Sequence, residues 1–418
     1  MSFGPFRSLR SLLATLVLIG AATGGAGAET PDQKPGEQFS ISPDALPVPA
    51  EDTAVANPSE AVPRPAGALP RVPAGFAVSV FAEGLDNARY LEILPNGDVL
   101  LAEMAAGRVT VLRDETGAGV ATRRFTFAEG LAHPHGIAFH DGSVYVGDTR
   151  AVWRYRWNPA DGTAIGAGEP ITPPGALGEG RGHITRNIAF APDGRHFYVA
   201  IGSRSNIAEE PAPRATIQEF DADGGAGRTF ASGLRNPVGI RFYPGTDTLF
   251  AVVNERDGLG DLLVPDYLTR VQRDGFYGWP YAYIGHHKQP GFLGDRRPDL
   301  VARAIVPDLL FQSHSAPLGL EFYQGTQFPA AYRGDAFVSL HGSWNAGVPT
   351  GYKVVRVRFK DGRPAGGYEN FLTGFWLSGT SPAQVWGRPV GLATARDGSL
   401  LIADDVGNRV WRVRWVGP

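Results

Sequence analysis

Six stretches of this chain share one form: an apolar strand, a turn of Gly, Asp or Asn, and a second apolar strand. They begin at Arg89, His135, Arg186, Val238, Leu318 and Val390. A strand pair of this kind cannot bury its apolar face alone, so the copies must stack on one another. Several copies are followed by a third strand with alternating apolar residues, at 108–112, 152–157, 352–359 and 409–415. Period-two alternation puts one face of each strand into a sheet–sheet interface. The spacing between copies is roughly 40–70 residues, the span of propeller blades. The expected fold is all-β, a six-bladed β-propeller; a β-sandwich with coincidental turns is the competing architecture. In a propeller, the loops joining the first two strands of successive blades are expected to crowd one mouth of the central channel and to carry the site.

Composition agrees with short strands. Gly 55 and Pro 34 are high for 418 residues, and only 19% of the chain is charged. The formal charge is -3, and no block of like charge marks the globular part. Binding to nucleic acid or to a membrane surface by bulk electrostatics is therefore not expected. There is no cysteine. That excludes disulfides, a thiolate nucleophile, iron–sulfur ligation and C-x-x-C-H haem attachment.

The chain opens with a basic region at Arg7 and Arg10, an apolar run over 11–22 and a small-x-small site at Ala26-Gly27-Ala28. Residues 1–28 read as a signal peptide, too short in its apolar run for a comfortable membrane span. Export to the bacterial periplasm and no stable membrane insertion are expected. Residues 29–71 are rich in Pro, Ala, Glu and Asp and read as a disordered linker. The globular domain is expected over 72–418.

Three groups of residues stand out for chemistry. His183 lies just before a first strand, with Arg181 and Arg186 nearby. A histidine there can serve as a neutral general base or can simply bond a loop carbonyl. His135, His314 and His341 hold related positions in other repeats, so several imidazoles are expected to face the channel. Arg235, Lys353 and Arg388 lie at strand entries or in a late strand. Brought together, they would make a cationic pocket for a multiply anionic small ligand. The loop Glu255-Arg256-Asp257-Gly258-Leu259-Gly260-Asp261 ends a second strand. Its carboxylates and carbonyls suit calcium, or an ordinary polar turn; the spacing is not that of an EF-hand.

These motifs together resemble the soluble pyrroloquinoline-quinone (PQQ) dependent sugar dehydrogenases, the glucose/sorbosone dehydrogenase family. The resemblance rests on GHITRNIAFAPDG (182–194), GLRNPVGIRF (233–242), NERDGLGDLL (254–263), YGWPY (277–281), HSAPLGLEFY (314–323) and HGSWNAGVPTGYKVVRVRF (341–359). It implies a six-bladed propeller with PQQ over the channel mouth and calcium bridging cofactor and protein. It lends His183 the role of general base toward a sugar hydroxyl, with hydride passing to the quinone. Arg235 would polarise the quinone oxygen, and Asn236 would bond the cofactor. Lys353 and Arg388 would pair with PQQ carboxylates. Arg256 and Asp257 would offer calcium their carbonyls, with Glu255 lining the same site. Electrons would leave to an external acceptor, a quinone or a small redox protein.

The chain departs from the glucose-type pattern in two places. An acidic Ile-Gly-Asp setting becomes Ile201-Gly202-Ser203, and the calcium loop lacks a Gln-Gly-Pro form. Both point to the sorbosone-like branch. Two other functions compete: a calcium-bearing propeller hydrolase such as a sugar lactonase, and a non-catalytic binding propeller. The cations Arg235, Lys353 and Arg388 speak against the lactonase, and His183 with Arg235–Asn236 speaks against a non-catalytic propeller.

Overall fold

A computed structural model describes Thr30 and residues 32–418. The expected signal peptide lies outside the described residues. Strands dominate, and they gather into six principal antiparallel sheets of four or five strands. The first four sheets start at Ala88–Ile93, Gly136–His140, Arg186–Phe190 and Asn236–Phe242, and the last two at Pro317–Phe322 and Pro389–Thr394. Each of these starting strands is the first half of one sequence repeat. Within each sheet the strands then follow in chain order. Two sheets also take an outer strand from earlier in the chain, Gln38–Phe39 in the fifth and another in the sixth. The sixth sheet's outer strand is Phe76–Glu83, which pairs with the C-terminal Arg409–Trp415 from Phe76 opposite Trp415 to Glu83 opposite Arg409.

The six starting strands pack against one another in sequence order, and the sixth returns to the first. Glycine makes this approach possible. A Cβ on Gly391 would stand 2.4 Å from the Arg89 carbonyl oxygen, and one on Gly319 would stand 2.1 Å from that of Val390. Such distances are inside van der Waals contact, so only glycine lets neighbouring backbones meet at the crowded axis. Apolar clusters fill the spaces between sheets. One joins Leu91, Leu101 and Leu112 of the first sheet to Leu401 and Val410 of the sixth.

Two layers cross the axis. Val238, Leu318 and Val390, from the fourth, fifth and sixth sheets, form one buried apolar cluster. Farther along the same strands, Arg241 lies 3.4 Å from Glu92 and 3.5 Å from Glu321, and its guanidinium sits over the Tyr90 ring. The ion pair therefore joins three different sheets. Burial raises the Glu92 carboxyl to about 6, although Arg241 pulls it down.

The stretch 32–71, expected as a disordered linker, lies against the body instead. Gln38–Phe39 adds an outer strand to Arg363–Leu372, and Glu60–Ala61 pairs in parallel with Gln384–Val385. Gln33 is fully buried and donates to the Gly351 carbonyl at 3.0 Å. Its proline-rich composition hid a segment ordered by backbone pairing to the domain rather than by an apolar core of its own. Among the described residues, no helix is long and apolar enough to cross a membrane.

Gly391→Ala tests the close approach at the axis. Overpacking there is expected to cost about 1–3 kcal/mol in chemical denaturation. Unchanged stability would show that the strands can move apart freely.

Candidate functional site

A cavity of about 450 Å³ opens at one end of the axis. Its wall takes residues that enter the starting strands, such as Arg89, Arg235–Asn236 and Arg388, and residues that leave second strands, such as Glu255 and His341. Val238 and Leu318 lie at its floor. This corrects the expected location. The turns joining first and second strands lie at the other end, because antiparallel strands return the chain to the site end only between sheets and between the second and third strands.

His183 is held by the loop that follows Ile201. Its Nδ1 lies 2.8 Å from the Ser203 carbonyl and 3.1 Å from Ser203 Oγ. A carbonyl only accepts, so Nδ1 carries the hydrogen and Nε2 presents a lone pair. Burial, and then the Arg235 charge, bring the imidazole down to about 4, so it is neutral at neutral pH. The departure at Ile201-Gly202-Ser203 is thereby explained: a backbone carbonyl orients the ring where an acidic side chain was expected. Gly202 is required beside it, since a Cβ there would stand 2.6 Å from that of His183.

Arg235 is almost wholly buried. It donates to the Glu255 carbonyl at 2.7 Å, to the Asn206 carbonyl at 3.1 Å and to Asn206 Oδ1 at 3.0 Å, and lies 3.4 Å from Asp257 Oδ2. Opposite stands a second charged group. His341 Nε2 lies 3.0 Å from both oxygens of Asp405, and Arg89 donates to the same carboxylate at 2.5 Å. Burial alone would raise Asp405, but His341, Arg89 and Arg388 hold it well below the usual carboxylate range. Burial and Arg388 lower His341 to about 4. Arg388 donates to the His341 carbonyl at 2.9 Å and to the Gly342 carbonyl at 2.6 Å.

The structure thus brings His183, Arg235, Asn236, Arg388, Glu255 and Asp257 to one cavity. It does not bring Lys353. That residue starts a third strand, away from the axis, and is fully buried. Its Nζ lies 3.2 Å from Asp32 Oδ2 and 4.4 Å from the centre of the Phe39 ring. The Arg256 side chain donates to Gln289 Oε1 and to the Asp257 carbonyl, each at 3.0 Å; the group expected to face calcium is its backbone carbonyl. His314 and His341 line the cavity as expected, but His135 is buried outside its wall with Nδ1 2.8 Å from Asn187 Oδ1.

The loop after the fourth sheet's second strand is acidic but heavily engaged. Burial raises Glu255 to about 8 and the neighbouring Asp266 to about 6. Against burial, the Asp257 carboxylate and the Gly260 carbonyl raise His314. Glu255 offers Oε1, buried and without a hydrogen-bond partner. Its carbonyl accepts from Arg235, and the Asp257 carbonyl accepts from Asn206 Nδ2 and Arg256 Nε. Among the described residues, no three His, Cys, Asp or Glu side chains stand close enough to hold a metal by themselves.

Sequence reasoning missed Arg89, Asp266, Trp344 and Asn345 in the wall. Arg89 was visible in principle. It occupies the repeat position of Val238, Leu318 and Val390, so a cation replaces an apolar residue facing the axis. Trp344, half exposed at the rim, carries no such mark.

Known proteins are similar to this chain to different extents. An uncharacterized protein of Borreliella burgdorferi is 27% identical over 354 residues, covering 82% of this chain and 90% of the other. The pyrroloquinoline quinone-dependent pyranose dehydrogenase of Coprinopsis cinerea is 26% identical over 410 residues, covering 82% of this chain. The match spans 54%, about half, of that fungal protein's length. The holo form of the Coprinopsis cinerea pyranose dehydrogenase PQQ domain superposes with a TM-score of 0.71 at 24% identity. It covers 84% of this chain and 98% of the domain, and so shares the fold. The TrAA12-like family profile matches residues 70–265 and 300–415, well over half of the sequence. On that match the chain belongs to the TrAA12-like family, within the PQQ sugar dehydrogenases.

Proposed function

We propose that this chain is a PQQ-dependent sugar dehydrogenase, an oxidoreductase that passes electrons to an external acceptor. Its fold reads as a six-bladed propeller, supported by six sheets whose starting strands pack in a ring. Export to the periplasm is part of the proposal and rests on the N-terminal sequence pattern.

One observation carries the functional reading. Arg89 Nε, Thr185 Oγ1, Asn236 Oδ1, Glu255 Oε1 and Asn345 Nδ2 are buried without hydrogen-bond partners, and all belong to residues of this one cavity. Leaving such a group unpaired costs roughly 1–3 kcal/mol. Five of them beside Arg89, Arg235 and Arg388 fit a flat, polar, multiply anionic ligand, which describes PQQ. A hydrolase would need a metal-held water and a carboxylate set, and the cations would then have no partner.

Arg89, Arg388 and Asn236 would hold the cofactor's carboxylates and carbonyls, with Arg235 toward the quinone end. Bound there, PQQ supplies a two-electron acceptor for hydride from the sugar carbon. His183 Nε2 takes the proton of the sugar hydroxyl, while the Ser203 carbonyl keeps Nδ1–H in place. Arg235, fixed by Asn206 and Glu255, stabilises negative charge without reorganising. The exposed indole face of Trp344 at the rim suits the C–H face of a sugar ring. Pyranoses are the first substrates to examine, with sorbosone beside them.

Calcium belongs to the same proposal with a change of donor. Of the two expected carbonyl donors, that of Asp257 already accepts from Asn206 Nδ2 and Arg256 Nε, which occupies both its lone pairs, while that of Arg256 stays in the proposal. The unpartnered Oε1 of Glu255 does fit a cation. Calcium held there would neutralise a buried carboxylate beside an anionic ligand.

Purified protein mixed with PQQ and a sugar panel is expected to bind the cofactor and reduce a dye; no PQQ binding sinks the reading. His183→Ala is expected to keep PQQ affinity and to lower kcat by roughly 10²–10⁴-fold. The acid limb of kcat/KM should fall near pH 4, because only below that value does solvent protonate His183 and remove it as a base. A limb at the ordinary histidine pKa would exclude His183 as the base. Added calcium should tighten PQQ binding in the native protein and not in Glu255→Gln. Calcium dependence that persists in the variant would rule out this donor.

A further inference from the structure

We propose that residues 32–61, which precede the family-matched part of the chain, form a strap that positions two walls of the cavity. The strap has two kinds of attachment. Its early part is fixed at the outer edge of the fifth sheet. There Gln38–Phe39 pairs with Arg363–Leu372, and Phe39 stacks on Tyr368 with ring centres 5.1 Å apart. Asp32 meets the buried Lys353 in the same region. These contacts lie away from the cavity.

Its later part runs to the site. The Ala50 amide donates to the Leu259 carbonyl at 3.0 Å. The strap passes so close to Gly260 that a Cβ there would stand 2.7 Å from Thr53 Oγ1 and 3.0 Å from the Ala50 carbonyl oxygen. The Asn57 amide donates to the Trp344 carbonyl at 2.7 Å. Asn57 Nδ2 donates to the carbonyls of Ala346 and Thr380, each at 2.8 Å, and Asn57 itself is buried. Leu259 and Gly260 continue the loop that carries Glu255 and Asp257. Trp344 and Ala346 flank Asn345, whose side chain lines the cavity.

The body also links these two loops to each other through short polar contacts. Asp261 accepts from the Gly347 amide at 2.9 Å and from the Val348 amide at 3.3 Å. The strap adds hydrogen bonds from a third segment, none of whose residues lines the cavity. Asn57 is therefore a positioning residue. It touches no ligand, and it fixes the backbone on which Trp344 and Asn345 are mounted.

The binding arm of the test rests on the proposed PQQ reading; the exchange arm does not. Full-length Asn57→Ala is compared with Phe39→Ala, which loosens the outer attachment alone. Asn57→Ala is expected to weaken PQQ binding about tenfold and to speed amide hydrogen exchange at 255–261 and 343–350, with a small change in Tm. Phe39→Ala is expected to lower Tm and to leave PQQ affinity and exchange in both loops as in the native protein. Native exchange in both loops of Asn57→Ala would overturn the proposal, as would equal effects of the two variants on affinity. If the native protein binds no PQQ, the functional reading falls, and exchange alone decides the strap.

Discussion

The pairing of Phe76–Glu83 with Arg409–Trp415 is the contact on which the rest of the molecule depends. It joins the two ends of the domain within one sheet, so the sixth sheet cannot be completed without residues from the beginning of the chain. Backbone hydrogen bonds of such sequence separation carry a large chain-entropy cost before they form. Once formed, they hold every sheet between two fixed neighbours. The cavity wall draws on residues from Arg89 to Arg388, and their relative positions are set by this closure.

Much of this was legible in the sequence, for a physical reason. Strand period and turn chemistry are local, so the six repeats marked six sheets, and all six starting strands begin within two residues of the repeat starts. His183, Arg235 and Arg388 were legible because each stands next to a strand entry. Lys353 was misread because its position in a third strand is radial information, which spacing along the chain does not carry. The stretch 32–71 was misread because its order comes from partners hundreds of residues away, such as Arg363–Leu372 for Gln38–Phe39. The end of the axis bearing the site was also misassigned, since repeats specify the strands and not which set of connections carries the polar groups.

The site's electrostatics follow from where its charges are spent. Arg235 and Arg388 give most of their hydrogen bonds to backbone carbonyls, and Arg89 shares Asp405 with His341. Guanidinium groups fixed in this way are stiff, and much of their charge remains uncompensated. Burial first, and these charges second, keep His183 and His341 unprotonated at neutral pH. The same positive field that suits an anionic ligand therefore prepares an imidazole to accept a proton.

The ion pair of Arg241 with Glu92 and Glu321, beneath the Val238–Leu318–Val390 layer, turns the axis into a blind well. Anything that reacts at its bottom has one doorway. Under the proposed function, a sugar, its oxidised product and an electron acceptor would share the opening beside Trp344, and the topology would impose a queue. Turnover would then be a two-stroke cycle, in which the second visitor is admitted only after the first has gone.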